Sequence, residues 1–418
     1  MIKRGTHDKY FNEYASTIYK YPNPLLKWEK ISSVNTTLDF AFLKNKIRGS
    51  VSYYYKQTRD AFLSKKVSEV NGIDAYVVNK GTLTNRGMEL ALNFIPVNTF
   101  GGGSKNGFRW SFDPQFGQVI NKLLNKAINN GKKQSLRDED NITYTDYLNG
   151  RVEVAGRPLN SFFSYRFAGL DPADGRPMFS GTEVNYTVNG EEVLGEDGEV
   201  ITNKSRYAEM TKEQVFLEVM DYSGCRVPQL QGGVRNTFSY RGFALALNLS
   251  YSIGSKVRLL RMYPNIAKEN GTLAPQPMEN VRREFLRRWK SPGDEAYTNV
   301  PGIISDDEFV KSLSNGWWRK ETYSFGTNIW QMYDYSDIRV VSGNYLKIQS
   351  VSLRYNVPTR WCNRLFLKSA YVSLSGTNLY TWGAKALKGQ DPSTQTGSST
   401  KIAQSVRPTY SFSLNVTF

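Results

Sequence analysis

The order of apolar and polar residues along this chain repeats with a period of two. From Thr409 onward, Tyr410, Phe412, Leu414, Val416 and Phe418 alternate with Thr409, Ser411, Ser413, Asn415 and Thr417. A period of two puts successive side chains on opposite sides of a strand, so this segment predicts a strand with one apolar and one wet face. "TLDFAF" repeats the pattern with Leu38, Phe40 and Phe42, and "IRGSVSYYY" places Ile47, Val51, Tyr53 and Tyr55 together. "GMELALNF" and "GFRWSF" follow, and "VRNTFSYRGFALALNLSYSI" reads as a hairpin turning at Arg241-Gly242. Nine strands result: 32–43, 47–57, 84–95, 108–117, 232–240, 243–254, 344–357, 364–378 and 404–418.

The connections between them fall into two sets that alternate along the chain. Short ones lie near 44–46, 96–107, 241–242 and 358–363, and long polar ones near 64–83, 118–231, 255–343 and 379–404. Antiparallel strands with tight turns at one end and long loops at the other describe the wall of a transmembrane β-barrel. Segments of this length suit a tilted strand crossing a bilayer. A soluble or surface-attached β-sandwich that binds polysaccharide is the alternative, since its strands alternate too. It does not call for large loops on one side only. Segment 161–181, "SFFSYRFAGLDPADGRPMFSG", must add an even number of spanning strands, and the alternation of Phe163, Tyr165 and Phe167 favours a pair within 118–231.

Composition narrows the picture. With a mean hydropathy of −0.50 the chain does not read as a helical membrane protein, and 26 Tyr, 22 Phe and 34 Gly suit a β-rich chain. The net charge of +16 comes without a block of like charges, so nucleic acid is not an expected partner. Cys225 and Cys362 lie too far apart in sequence for metal-ligand spacing.

"NPLLKWEK…NTTLDFAFLKNKIRGSVSYYYKQTRDAFL" resembles the barrel strands of SusC/RagA-type TonB-dependent outer-membrane transporters. "NKGTLTNRGMELALNF", "GRPLNSFFSYRFAGLDPADGRPMF", "PQLQGGVRNTFSYRGFAL", "RRWKSPGD", "SGNYLKIQSVSLRYNVP", "YVSLSGTNLYTW" and "GQDPS" follow in that family's order. The resemblance implies an all-β fold: residues 1–418 as the C-terminal portion of an antiparallel transmembrane β-barrel with long extracellular loops at 118–231 and 255–343. An odd strand number cannot close a bacterial barrel, and the family's N-terminal plug and first barrel half are expected to be absent from this chain. The implied function is import of oligosaccharides or peptides across the outer membrane of a Gram-negative bacterium. The implied partners are a SusD-like surface lipoprotein as lid, TonB, and outer-membrane lipid and lipopolysaccharide. Such proteins typically end on Phe, so Tyr410, Phe412, Leu414, Val416 and Phe418 are expected to double as the outer-membrane insertion signal.

Candidate chemistry is sparse, and no catalytic, metal or cofactor role is expected. His7 is the only histidine and lies in a segment expected to be irregular. "TFGGGSKNG" precedes a strand rather than a helix, so it reads as a turn and not a phosphate cradle. "RDED" and "GEDGEV" are loop acids. "PMENVRREFLRRW" spaces Met278, Val281, Phe285 and Trp289 as one face of a loop helix. Trp317, Trp318 and Trp330 cluster in an expected external loop, where they would contact ligand or lid, or pack the loop itself.

Overall fold

The computed structural model describes residues 2–8, 10–18, 22–66, 75–79, 81–100, 107–125, 143–150, 154, 156–263, 273–275, 281–304, 310, 316–319, 324–387, 390–394 and 406–418. Its main element is a ten-stranded antiparallel sheet. Nine strands form its path in chain order: β1 (Lys30–Phe42), β2 (Ile47–Arg59), β3 (Thr82–Asn98), β4 (Phe108–Gln118), β5 (Leu230–Tyr240), β6 (Phe243–Ile253), β7 (Tyr345–Asn356), β8 (Ser369–Gly383) and β9 (Thr409–Thr417). The tenth, Ile120–Asn125, continues from β4 and pairs with the first part of β3. All nine anticipated strands are present, each beside its sequence neighbour. The other sheets among the described residues are all two-stranded, unlike the two comparable layers of a sandwich.

Register keeps the two faces apart. Val97, Trp110, Phe238, Leu245, Leu353, Leu374 and Phe412 are successive cross-strand partners on one face. Asp39, Ser50, Ala91, Gln115, Gly233, Ser250, Lys347 and Thr381 are successive partners on the other. A slip of one residue in any strand would exchange its faces, so this division fixes the pairing. The apolar row stays open to the surroundings, with Leu374 at 54% and Phe412 at 66% exposure.

Among the strand glycines that lie directly opposite an aromatic residue are Gly49 opposite Phe40, Gly87 opposite Tyr54, Gly232 opposite Tyr251 and Gly376 opposite Tyr410. In each pair the ring leans into the space a side chain would take. A Cβ on Gly232 would stand 2.1 Å from the Gln115 carbonyl oxygen and 2.8 Å from the Tyr251 hydroxyl. That hydroxyl reaches past the glycine to donate to Gln115 O at 3.1 Å. Gly232→Val is therefore expected to destabilise the sheet by about 1–3 kcal/mol through overpacking. The check is the temperature at which the barrel loses its folded migration on a detergent gel; an unchanged temperature would remove this account of the glycines.

The turns explain the short end of the sheet. Arg241 (φ 46°) and Gly242 (φ 89°) are both left-handed, as a two-residue hairpin turn requires. Leu43, Lys44 and Asn45 also take positive φ between β1 and β2. Thr99 and Phe108 close the β3–β4 connection, with Thr99 N donating to Phe108 O at 2.8 Å and Phe108 N to Thr99 Oγ1 at 2.7 Å.

Several expectations change. The pair expected to span within 118–231 exists, but as Ser161–Tyr165 against Met220–Cys225 in a separate two-stranded sheet. Every residue of Ser161–Tyr165 is buried, so this strand has no wet face to turn toward a lumen. The eighth strand begins at Ser369 rather than 364, because Thr359–Arg364 coils into a short helix after Pro358. Phe366, expected on that strand, takes a positive φ in the turn and is 92% exposed. His7 belongs to a strand, Ile2–Asp8, paired with Glu13–Ile18, and its ring stands 4.9 Å from that of Tyr14. The expected loop helix is a 3₁₀ turn at Arg283–Arg287, with Phe285 buried but Val281 and Leu286 exposed. Met278 and "RDED" lie outside the described residues. "GEDGEV" makes a tight turn, with Gly195 N donating to Glu199 O at 2.8 Å.

Candidate functional site

Two surfaces carry the polar chemistry: the wet face of the sheet, and a folded unit built from the two longest connections. On the wet face, Arg48 Nη2 donates to Asn93 Oδ1 at 2.9 Å, and Asn93 Nδ2 donates in turn to Asp113 Oδ1. Arg235 stands in register between Asp113 and Asn248, and Asn248 Nδ2 donates to Ser350 Oγ at 2.8 Å. Arg48, Asn93, Asp113, Arg235 and Asn248 border a groove of about 730 Å³ that also reaches Asp39 and Gln115. A surface with both signs of charge and several amides can bind polar solutes by many weak contacts. The opposite face has few polar side chains. Asn236 is one of them, and it accepts a hydrogen bond from the Trp110 indole N–H at 3.3 Å.

The second surface is the unit formed by the described residues of 119–229 and 254–344, which hold a large apolar core. Tyr147, Phe163, Tyr165 and Phe216 come from the first connection, and Tyr263, Phe285, Phe325 and Trp330 from the second. Capping starts the helices: Thr211 and Gln214 form a capping box at Lys212–Val219, and the Asn328 side chain caps Ile329–Asp334. The Tyr165 hydroxyl joins the two connections by donating to Phe325 O at 2.5 Å.

Four buried charges lock this unit. Arg339 Nη1 donates to Glu284 Oε2 at 2.6 Å, and Arg282 Nη2 donates to Glu284 Oε1 at 2.6 Å. The Asp334 carboxylate accepts from the backbone N–H groups of Met262 at 2.6 Å and Tyr263 at 3.1 Å. Burial holds the Asp334 carboxyl up at about 6, against the opposing pull of Arg339 and those two donors. Arg258 donates to Phe163 O at 2.8 Å and Ser164 Oγ at 2.9 Å, and burial lowers it to about 10. These side chains fasten backbone segments from both connections.

The three expected tryptophans meet in this core. Trp330 is fully buried, with its indole N–H donating to Gly302 O at 3.2 Å, so in this conformation it packs the loops and presents no surface. Trp318 is 9% exposed and donates to Thr327 O at 2.9 Å. Trp317 is half-buried against Tyr207 and Phe325, and its indole N–H donates to Thr182 O at 3.2 Å. On β9, Tyr410, Phe412 and Leu414 are exposed on the apolar face, with Val416 partly covered; Phe418 follows the strand and is exposed. Sequence reasoning passed over Arg48, Asp113, Glu284 and Arg339. Only the placement of charged residues at inward strand positions could have marked the first two. Glu284 and Arg339 are 55 residues apart, with no local signal.

Comparison with known proteins supplies the context. The family model for the TonB-dependent receptor-like β-barrel matches residues 6–263. A TonB-dependent receptor of Formosa agariphila is 22% identical over 396 residues, covering 91% of this chain and 33% of the relative. The TonB-dependent receptor SusC of Bacteroides thetaiotaomicron is 27% identical over 154 residues, covering 37% of this chain and 15% of the relative. Among solved structures, the RagAB peptide importer in its closed-closed state aligns with a TM-score of 0.66 at 17% identity, over 100% of this chain and 38% of that one. The chain spans about a third of the length of the first curated relatives it matches.

Proposed function

The chain belongs to the TonB-dependent receptor-like β-barrel family of the Gram-negative outer membrane, and from that premise we propose that it supplies barrel wall and external loops to an importer of oligosaccharides or peptides. The observation that carries this reading is the opposition of the two sheet faces: a continuous apolar face suited to lipid, and a charged and amide-bearing face suited to a wet lumen. The long connections gather at one end of the sheet, where a solute arriving from outside would meet them first. The neighbours named SusC and RagAB support this reading. In it, a SusD-like lipoprotein closes over the loop unit, and TonB supplies energy through parts of the protein beyond this chain.

Trp317 remains the candidate for ligand or lid contact, because among the three tryptophans it keeps the most exposed surface. Deleting the gene is expected to abolish uptake of a labelled oligosaccharide or of a labelled peptide pool, and a proton uncoupler should have the same effect on the intact strain. Undiminished uptake of both classes after deletion would overturn the importer reading. Trp317→Ala should weaken ligand or lipoprotein retention about fivefold or more at an unchanged folded amount. A fall in folded amount with unchanged retention per molecule would assign Trp317 to packing instead.

A further inference from the structure

The four short connections carry charge of one sign only. Residues 43–46, 99–107, 241–242 and 357–368 contain no Asp or Glu, although the chain holds 38 such residues against 54 Lys and Arg. Lys44, Lys46, Arg241, Arg360, Arg364 and Lys368 are all exposed there, and among the described residues none of them forms an ion pair. Cations gathered at one end of a sheet without neighbouring acids set up a field that favours anions along the whole rim. The long connections differ, since exposed acids such as Glu191, Glu192 and Glu199 lie among them.

Geometry joins this charge to the apolar face. Tyr240 lies two residues beyond Phe238 on β5 and shares its face. The Arg241 guanidinium stands 5.2 Å from the Tyr240 ring centroid, which keeps this cation on the apolar side of its turn. Tyr240 pairs in register with Phe243, whose ring centroid is 4.4 Å from that of Tyr355, so the apolar face ends here in aromatic rings. The helix Thr359–Arg364 buries Cys362. Arg360 and Arg364 lie two positions before and after it, about 200° round the helix, and so point away from the sheet. Trp361, Leu365 and Phe366 are exposed beside them, at 58%, 65% and 92%. Large apolar side chains left open among cations suit the boundary between headgroups and acyl chains better than free water.

We propose that this rim is a docking surface for the headgroups of anionic phospholipid in the membrane leaflet at the short-turn end. Arg241, Arg360 and Arg364 take the phosphate oxygens, and Trp361 and Phe366 seat in the zone between headgroup and acyl chain. A guanidinium fork matches two phosphate oxygens at once, which orients the headgroup as well as attracting it. Continuity favours lipid over a soluble acidic protein, because Phe42, Tyr240 and Phe243 carry exposed apolar surface from the strands up to these cations. The inference rests on the apolar face being the lipid-facing one and is independent of what the protein imports.

The test uses the complete protein reconstituted in phosphatidylcholine vesicles with a trace of spin-labelled lipid, either phosphatidylglycerol or phosphatidylcholine. The fraction of each label immobilised by the protein gives its relative affinity. Wild type is expected to prefer phosphatidylglycerol about fivefold or more at low salt, a ratio equivalent to about 1 kcal/mol. The preference should shrink in about 1 M salt, where exposed charges are screened. Arg241→Gln, Arg360→Gln and Arg364→Gln combined should bring the two lipids within about twofold of each other. Arg283→Gln with Arg287→Gln, exposed cations of the loop unit, should leave the preference unchanged. Should the triple variant fold poorly, the salt dependence of wild type still decides. Equal affinity of wild type for the two lipids overturns the docking surface, as does a preference that survives in the triple variant, ignores salt, or disappears in the loop variant. Absence of lipid preference, with binding of soluble polyglutamate that the triple variant loses, assigns the rim to an acidic protein and also overturns it. If neither label is immobilised at all, the lipid-facing assignment falls and this inference with it.

Discussion

Glu284→Ala is expected to open the loop unit while leaving the sheet folded. Glu284 neutralises Arg339, which is 2% exposed, and it holds Arg282 with its other oxygen. Removing it takes from the buried Arg339 guanidinium its hydrogen-bonded carboxylate, leaving the charge of Asp334 to act on it, in a unit where Arg258 is already buried at 3% exposure. Breaking a buried pair on one side typically costs about 3–5 kcal/mol, because the survivor keeps its desolvation cost. Hydrogen exchange should then show lost protection within 144–225 and 256–342, with β1 to β9 unchanged. The double variant Glu284→Leu with Arg339→Met removes both charges together and should be much milder. Equal losses in the single and double variants would mean that the ion pair is not what holds the unit.

The second large effect separates the two faces of the sheet. Leu247 pairs with Asn236 and Val351, and Asn248 pairs with Arg235 and Ser350, one residue away on the opposite face. An arginine at Leu247 would enter lipid near mid-strand and should cost about 2–4 kcal/mol, whereas at Asn248 it would join Arg235 above an aqueous groove. The folded fraction after refolding into lipid vesicles, followed against urea, measures both. Similar losses at the two positions would contradict the assignment of faces.

The wall was largely legible because each strand states its own face locally. Leu245, Leu247 and Leu249 alternate with Ala246, Asn248 and Ser250, and no distant residue is needed to interpret them. The loop unit was not, because its elements are defined by partners far away. "SFFSY" looks like half of an alternating strand, and only the burial of Ser161 and Ser164 beneath other segments shows that both its faces are dry. The stretch around Phe285 reads as an amphipathic helix by spacing. In the fold, Glu284 is drawn inward beside Phe285 by Arg339, and the chain makes a 3₁₀ turn that spacing alone does not encode. Trp317, Trp318 and Trp330 lie in or against one buried cluster, and the sequence could not rank them by exposure.

The loop core also bears on the order in which this part of the protein assembles. Tyr165 and Phe325, which join its halves, are 160 residues apart, and the β5–β6 hairpin lies between the two connections. Closing so long a span from an extended chain is entropically slow. Once β4 has paired with β5 and β6 with β7, the two halves are anchored on adjacent strands and their encounter becomes local. Strand pairing should therefore come first, with loop closure as its sequel. In the finished molecule the unit then acts as a clasp across four consecutive strands, resisting the sliding of β5 and β6 against their neighbours when force is applied to the wall.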